Sequence, residues 1–313
     1  MKKVISISLG SSKRDHSVTL ELLGEQFEIS RVGTDGNFHK AVTKLKELDG
    51  KVNAIGLGGI DIYLYAGKNR YMIKDSKLLV QALKKTPVVD GSGVKNTLER
   101  ETIKYLSNKG YLHSNIKVLM TSAVDRFGMA EALEQVGCDI TCGDLMFGMG
   151  IPYPVKTVTR LNNIAARLLP IVTKLPFTVL YPTGKKQDSQ DIAKRNKYAK
   201  YYQEADVIAG DFHFIRKYLP GKLDGQIVIT NTTTKQDVEM LEERGAGLLV
   251  TTTPEFNGRS FGTNVIEALL VAILEKNWED IHPGEYTELL QKLQFEPRVV
   301  KLNNEKCKIK DIK

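Results

Sequence analysis

Along the first third of the chain, apolar and polar positions settle into a period of two. Residues 3–9 form a β-branched run that stops at Gly10. Residues 18–23 and 26–32 flank Gly24-Glu25, with Val18, Leu20 and Leu22 opposite Thr19, Glu21 and Leu23. This predicts one strand followed by a hairpin. A helical period comes next over 37–48, then a strand over 52–57 ending in Gly56-Leu-Gly-Gly-Ile-Asp61, and a second hairpin over 62–73. The pattern then predicts helices over 76–84, 96–108 and 126–136, and strands over 87–90, 116–121 and 138–142.

A glycine-rich passage without periodicity, 143–152, interrupts the series, and Pro152 and Pro154 stiffen the chain at its end. The expected junction lies at 150–155. It separates a mixed α/β domain, 1–153, from a Rossmann-like parallel-sheet domain, 154–313. The second begins with helix 157–174, kinked at Pro170, and then alternates strand and helix. Strands are expected over 177–182, 206–209, 226–230 and 247–252, and helices over 188–203, 212–218, 235–244, 261–276 and 283–293. One more strand is expected at 299–302.

Residues 226–253 carry this alternation most clearly: a β-branched run, an Asn-Thr-Thr-Thr turn, a helix and a second apolar run. Strand–helix–strand units build parallel sheets, which bind ligands at the carboxyl ends of their strands. Four such ends are polar: Tyr181–Lys186, Gly210–His213, Thr230–Thr234 and Thr251–Glu255. Their hydroxyls and helix amides suit phosphate, ribose or carboxylate oxygens, although the same residues also serve as helix N-caps. Thr183, Gly184, Lys185, Asp211, Asn231, Thr232 and Thr252 are the cofactor-binding candidates on this edge.

The first half offers two glycine turns. Asp90-Gly-Ser-Gly-Val-Lys95 lets backbone approach a ligand and supplies Lys95 and Asp90, a pair able to move a proton if burial lowers the lysine pKa. Gly10-Ser-Ser-Lys-Arg-Asp-His16 could form an anion nest through Ser11, Ser12 and Lys13. Asp61, Asp125 and Asp144 each stand just beyond a strand and could share one cleft, and Arg259 could clamp a carboxylate. No ligand spacing compels a metal there, so no resident metal is expected.

Composition narrows the class. A 42% hydrophobic and 26% charged chain is that of a folded protein, and no apolar run reaches membrane-spanning length. The cytoplasm is the expected location, because MKKVISISLG lacks the long apolar region and cleavage site of a signal peptide. A net charge of +8 suits a small anionic substrate; the basic stretches carry no nucleic-acid signature, so nucleic acid is not an expected partner. Pairing as a homodimer is left open. Three cysteines without framework spacing read as buried thiols.

The segments ISISLGSSKRDH, GLGGIDIYLYAG, TPVVDGSGVKNTLER, LYPTGKKQ, AGDFHFIRKYLP, ITNTTT and VTTTPEFNGRSFGTNVIEA resemble those of bacterial proteins called quinate 5-dehydrogenase. The resemblance runs from Val4 to about Ala272. It implies an NAD(P)-dependent oxidoreductase acting on a quinate- or shikimate-like cyclic hydroxy acid, with cofactor and substrate domains across a cleft. The Asn-Val-Thr-x-Pro-x-Lys stretch and the glycine-rich dinucleotide loop of shikimate and quinate dehydrogenases are absent. No catalytic residue is therefore carried over by position. Two alternatives stand beside this reading. The glycine turn, hairpin, helix and strand of the N-terminus resemble the opening of actin/hexokinase-type ATP–Mg²⁺ phosphotransferases, and a non-catalytic small-anion binding protein would need no charged pair for chemistry.

Overall fold

The computed structural model describes residues 1–66, 69–176, 192–256, 259–303 and 307–309. The expected strand at 177–182 therefore lies outside the described residues. The chain is an α/β protein built on two principal sheets.

The first sheet takes shape as β1 (Lys2–Ser8), β2 (His16–Leu22), β3 (Glu25–Gly33), α1 (Phe38–Leu48) and β4 (Ala54–Gly58) succeed one another. A hairpin, β5 (Tyr63–Ala66) and β6 (Asn69–Met72), then leads to α2 (Ser76–Val80) and β7 (Val88–Val89). Strand order is β2-β3-β1-β4-β7. All neighbours run parallel except the β2–β3 hairpin. The phosphotransferase alternative needs β1 to fold back on its own neighbour across the Gly10 turn. Here β1 pairs in parallel with β3, so that reading does not fit.

The chain next forms α3 (Ser92–Asn108), β8 (Lys117–Met120), α4 (Phe127–Val136), β9 (Asp139–Cys142), α5 (Asp144–Met149) and α6 (Val158–Val172). It continues with α7 (Ile192–Glu204), β10 (Val207–Ala209), α8 (Phe212–Tyr218), β11 (Ile227–Thr230), α9 (Lys235–Glu243) and β12 (Leu248–Thr251). A two-residue-per-strand hairpin, β13 (Glu255–Phe256) and β14 (Arg259–Ser260), precedes α10 (Thr263–Leu274), α11 (Pro283–Lys292) and β15 (Arg298–Lys301). The second sheet runs β15-β12-β11-β10-β8-β9, parallel but for the β15 edge.

Two expected boundaries move. Strands β8 and β9, placed with the first domain by sequence position, pair in the second sheet, so the 150–155 junction falls inside that layer. The chain leaves the first sheet at residues 90–92 instead. Helix α10, placed with the second domain, returns to the first sheet. Val265, Ile266, Leu269 and Leu270 are buried there with Val4, Phe27, Ile29 and Ala54. A helix apolar on all sides must be covered on all sides, and the first sheet offers the uncovered face.

Alternation along each strand builds both cores. In the second sheet, Val118, Met120, Val207, Ile229 and Val250 face α3, α4 and α6, while Leu119, Ile208, Val228 and Leu249 face α7, α8 and α9. Each such side chain contributes roughly 1.5–3 kcal/mol on burial. Among the described residues, no helix is long and apolar enough to cross a membrane.

Candidate functional site

Parallel strands deliver their outgoing loops to a common edge. In the second sheet the corners after β10, β11 and β12 are tied together directly. Thr230 Oγ1 donates to Gly210 O at 2.8 Å, Asn231 Nδ2 to Asp211 Oδ2 at 3.0 Å, and Thr253 Oγ1 to Asn231 O at 3.0 Å. The β8 corner joins them, because Ser122 Oγ accepts from Asp211 N at 2.9 Å.

Helix α3 bridges this edge to the first sheet. Lys95 Nζ lies 2.8 Å from Asp125 Oδ1, beyond β8, and 3.7 Å from Asp61 Oδ1, beyond β4. One turn further, Glu99 Oε1 accepts from Arg126 Nη1 at 2.8 Å. Arg126 reaches Asp211 Oδ2 with Nη2 at 3.1 Å and stands 3.5 Å from Asp125 Oδ2 with Nε. Lys95 and Glu99 thus share a helical face, spaced i, i+4, and meet the consecutive pair Asp125–Arg126 with opposite charges. Sequence reasoning missed Glu99, Arg126 and Ser122 as members of this cluster; the Lys95/Glu99 spacing opposite an acid–base doublet was the one signal that could have found them.

Its electrostatics are those of a closed ion-pair network. Burial alone would lower the Lys95 pKa, but Asp125 and then Asp61 outweigh it and hold the ammonium above its ordinary value. Burial would raise Asp125; Lys95 and Arg126 outweigh that and hold it below the usual carboxylate range. Burial keeps Glu99 above that range despite Arg126. For Arg126, Glu99, Asp125 and Asp211 overcome burial and keep the guanidinium charged.

Asp144 borders the same corner. Its Oδ1 accepts from Val124 N at 2.8 Å, while its buried Oδ2 has no hydrogen-bond partner among the described residues. Burial pushes its carboxyl up to about 6, with the Val124 and Ala123 amides opposing and the Asp125 charge adding. A folded-state pKa above the ordinary 3.8 means that Asp144 contributes stability below that pH and loses it as pH rises through about 6. Asp144→Asn should therefore flatten the stability profile between pH 4 and 6, read as the chemical-denaturation midpoint against wild type. Parallel profiles for the two proteins would exclude this role.

The remaining expected residues separate. Lys95 and Asp90 do not form the anticipated proton-transfer pair, because Lys95 turns to Asp125 and Asp61. The Asp90 carboxylate instead accepts from the backbone amides of Ile62 at 2.5 Å, Tyr63 at 3.3 Å and Ser92 at 2.9 Å. Ser11, Ser12 and Lys13 form no open nest. Ser11 Oγ accepts from Lys13 N at 3.2 Å and Asp35 Oδ1 from Ser12 N at 2.8 Å. Thr252 is buried beside the joined corners, its amide donating to Thr230 O at 2.8 Å, and Thr232 is half-buried after Asn231. Thr183, Gly184 and Lys185 lie outside the described residues, as does the side chain of Arg259, whose backbone belongs to β14.

Known proteins supply a comparison for this arrangement. A family model described as Domain of unknown function (DUF8753) matches residues 3–90, and one described as Domain of unknown function (DUF8754) matches residues 93–302. The gap between them falls on the corner where the chain leaves the first sheet. No curated protein matches. Matched solved structures include a periplasmic ribose ABC transporter protein from Conexibacter woesei DSM 14684, 11% identical (TM-score 0.37; 93% of this chain, 94% of that one). A glucose-galactose binding protein from Geobacillus stearothermophilus is 9% identical (TM-score 0.38; 97% and 98% covered). An arabinose-transporter binding protein from Shewanella sp. ANA-3 is 10% identical (TM-score 0.38; 94% and 96% covered).

The expected activity is corrected by the geometry of this cluster. Lys95, the residue chosen to move the proton, is held charged by two carboxylates, opposite to the lowered pKa that a lysine base requires. The NAD(P)-dependent oxidoreductase reading is therefore withdrawn. The family match over residues 93–302 spans more than half of the sequence, and the chain belongs to the family described as Domain of unknown function (DUF8754).

Proposed function

We propose that the protein is a non-catalytic binder of a small, neutral, hydroxyl-rich solute, held where the strand ends of the two sheets meet. The observation that carries this reading is how the charged groups are divided. The cations are consumed and covered, with Lys95 11% and Arg126 2% exposed. The carboxylates Asp61, Asp125 and Asp211 keep 19%, 29% and 19%. Among the described residues, what faces an incoming ligand is carboxylate and amide, with the joined Ser and Thr corners alongside. Such a surface accepts hydrogen bonds from hydroxyls and repels an anion, so the small ligand expected from sequence is better written as uncharged. The net positive charge of the chain is spread elsewhere and does not decide the site.

Calorimetry with a pentose, a hexose and quinate tests this. A neutral sugar should bind, and Asp211→Asn should weaken it roughly 10- to 150-fold, the worth of about 1.5–3 kcal/mol for a hydrogen bond to a charged group. Tight binding of quinate with none of either sugar would overturn the proposal.

A further inference from the structure

Asn231 stands first beyond β11 and is half-buried. Its hydrogen bonds run to the corners on either side. Oδ1 accepts from Phe212 N at 3.4 Å, Nδ2 donates to Asp211 Oδ2 at 3.0 Å, and the backbone O accepts from Thr253 Oγ1 at 3.0 Å. Asp211 is the N-cap of α8, with Oδ1 accepting from His213 N at 2.9 Å. Phe212 opens the same helix, so no carbonyl within that helix can satisfy its amide. Asn231 supplies the missing acceptor from the neighbouring strand, and with its other end a donor to the capping carboxylate.

The partners fix which end of the amide is which. A backbone N–H only donates and an ionised carboxylate only accepts. Turning the amide over would set donor against donor at Phe212 and acceptor against acceptor at Asp211. The position therefore demands one donor and one acceptor, which asparagine has and aspartate lacks. The backbone ahead of Asp211 has little room to compensate, since a Cβ on Gly210 would stand 2.3 Å from Thr121 Oγ1.

We propose that Asn231 is a positioning residue of the solute site, acting through Asp211 by holding its carboxylate in one orientation. Among the described residues, Asp211 Oδ2 takes two donors, Asn231 and Arg126, and Oδ1 takes one. One lone pair of Oδ1 is left for a solute hydroxyl. This role rests on the neutral-solute reading above.

A carboxyl in place of the Asn231 amide tests it. Ionised, it repels Asp211; protonated, it again offers one donor and one acceptor. Arg126 faces the pair from the β8 corner, with Asp125 and Glu99 behind it, and His213 from the first turn of α8. Thr252 and Thr253 bring no charge from the β12 corner. The charged groups are the same in both proteins, so the ratio of variant to wild-type affinity removes their own titration.

Calorimetry with the sugar that wild type binds best measures that ratio. Asn231→Asp should bind about tenfold more weakly than wild type at pH 8 and within about threefold of it at pH 5. Asn231→Leu, which has no donor at any pH, should show the about tenfold deficit at both. A deficit in Asn231→Asp that does not shrink on acidification, or none at pH 8, would overturn the positioning role. Should Asn231→Asp fail to fold at pH 8, wild-type affinity in Asn231→Leu would overturn it equally. A wild type that binds no sugar would sink the solute reading instead. The contact is then read in the free protein by carbon-13 carboxyl titration. Asp211 should titrate at higher pH in Asn231→Asp than in wild type, and an unmoved curve would overturn the role.

Discussion

Arg126→Met should destabilise the protein by about 3–5 kcal/mol, the loss expected when one partner of a buried ion pair is removed. The guanidinium is 2% exposed and serves Glu99, Asp125 and Asp211 at once, so three elements lose their common partner. Glu99, at 1% exposure, would be left as a buried carboxylate without its guanidinium, or would take up a proton. Denaturant unfolding checks the loss. The double variant Arg126→Met/Glu99→Met distinguishes charge from packing, because it also removes the buried Glu99 carboxylate that the single variant leaves without its guanidinium. It should recover most of the stability. A double variant as weak as the single would show that volume, not charge, causes the defect.

Gly91→Ala should cost about 2–5 kcal/mol, combining ~1–2 kcal/mol for a left-handed residue with ~1–3 kcal/mol for overpacking. The φ of 93° already disfavours an L side chain. The added Cβ would also stand 2.6 Å from Asn264 N and 2.7 Å from Thr263 C, backbone atoms at the start of α10 that have little room to retreat. Gly110→Ala is the control, since Gly110 has a φ of 79° with nothing within 4 Å of an added methyl, and it should lose only the conformational part. Equal losses at the two positions would mean that the α10 contact does not constrain the corner. The same helix makes Gly56 obligatory, where a Cβ would meet Asn264 O at 2.5 Å.

These residues mark where sequence reasoning succeeds and where it stops. The strands over 206–209, 226–230 and 247–252 were legible because β-branched runs end in polar turns, and the structure places β10, β11 and β12 side by side there. The Asp90-Gly-Ser-Gly93 turn was legible as a special backbone, but not its purpose. Its glycines admit α10 and Glu267, from 170 residues or more further along the chain, rather than a ligand. Lys95 was visible as a lysine beside a glycine turn. Its partners, Asp61 and Asp125, come from loops of different sheets, and no local pattern pairs them. The 150–155 junction failed for a related reason: Pro152 and Pro154 report local stiffness, whereas sheet membership depends on which strand β8 pairs with.

The amino-acid sequence by itself determined the fold class, the spans of most elements and the polar character of the strand ends. Each of these follows from periodicity and backbone preference acting over a few residues. Only the tertiary structure decided that α10 covers the first sheet, that Arg126 is the centre of a buried network, and that Lys95 is a bridging cation instead of a base. Those outcomes rest on burial and on charges brought together from distant positions, which shift pKa values and fix roles that no single segment encodes.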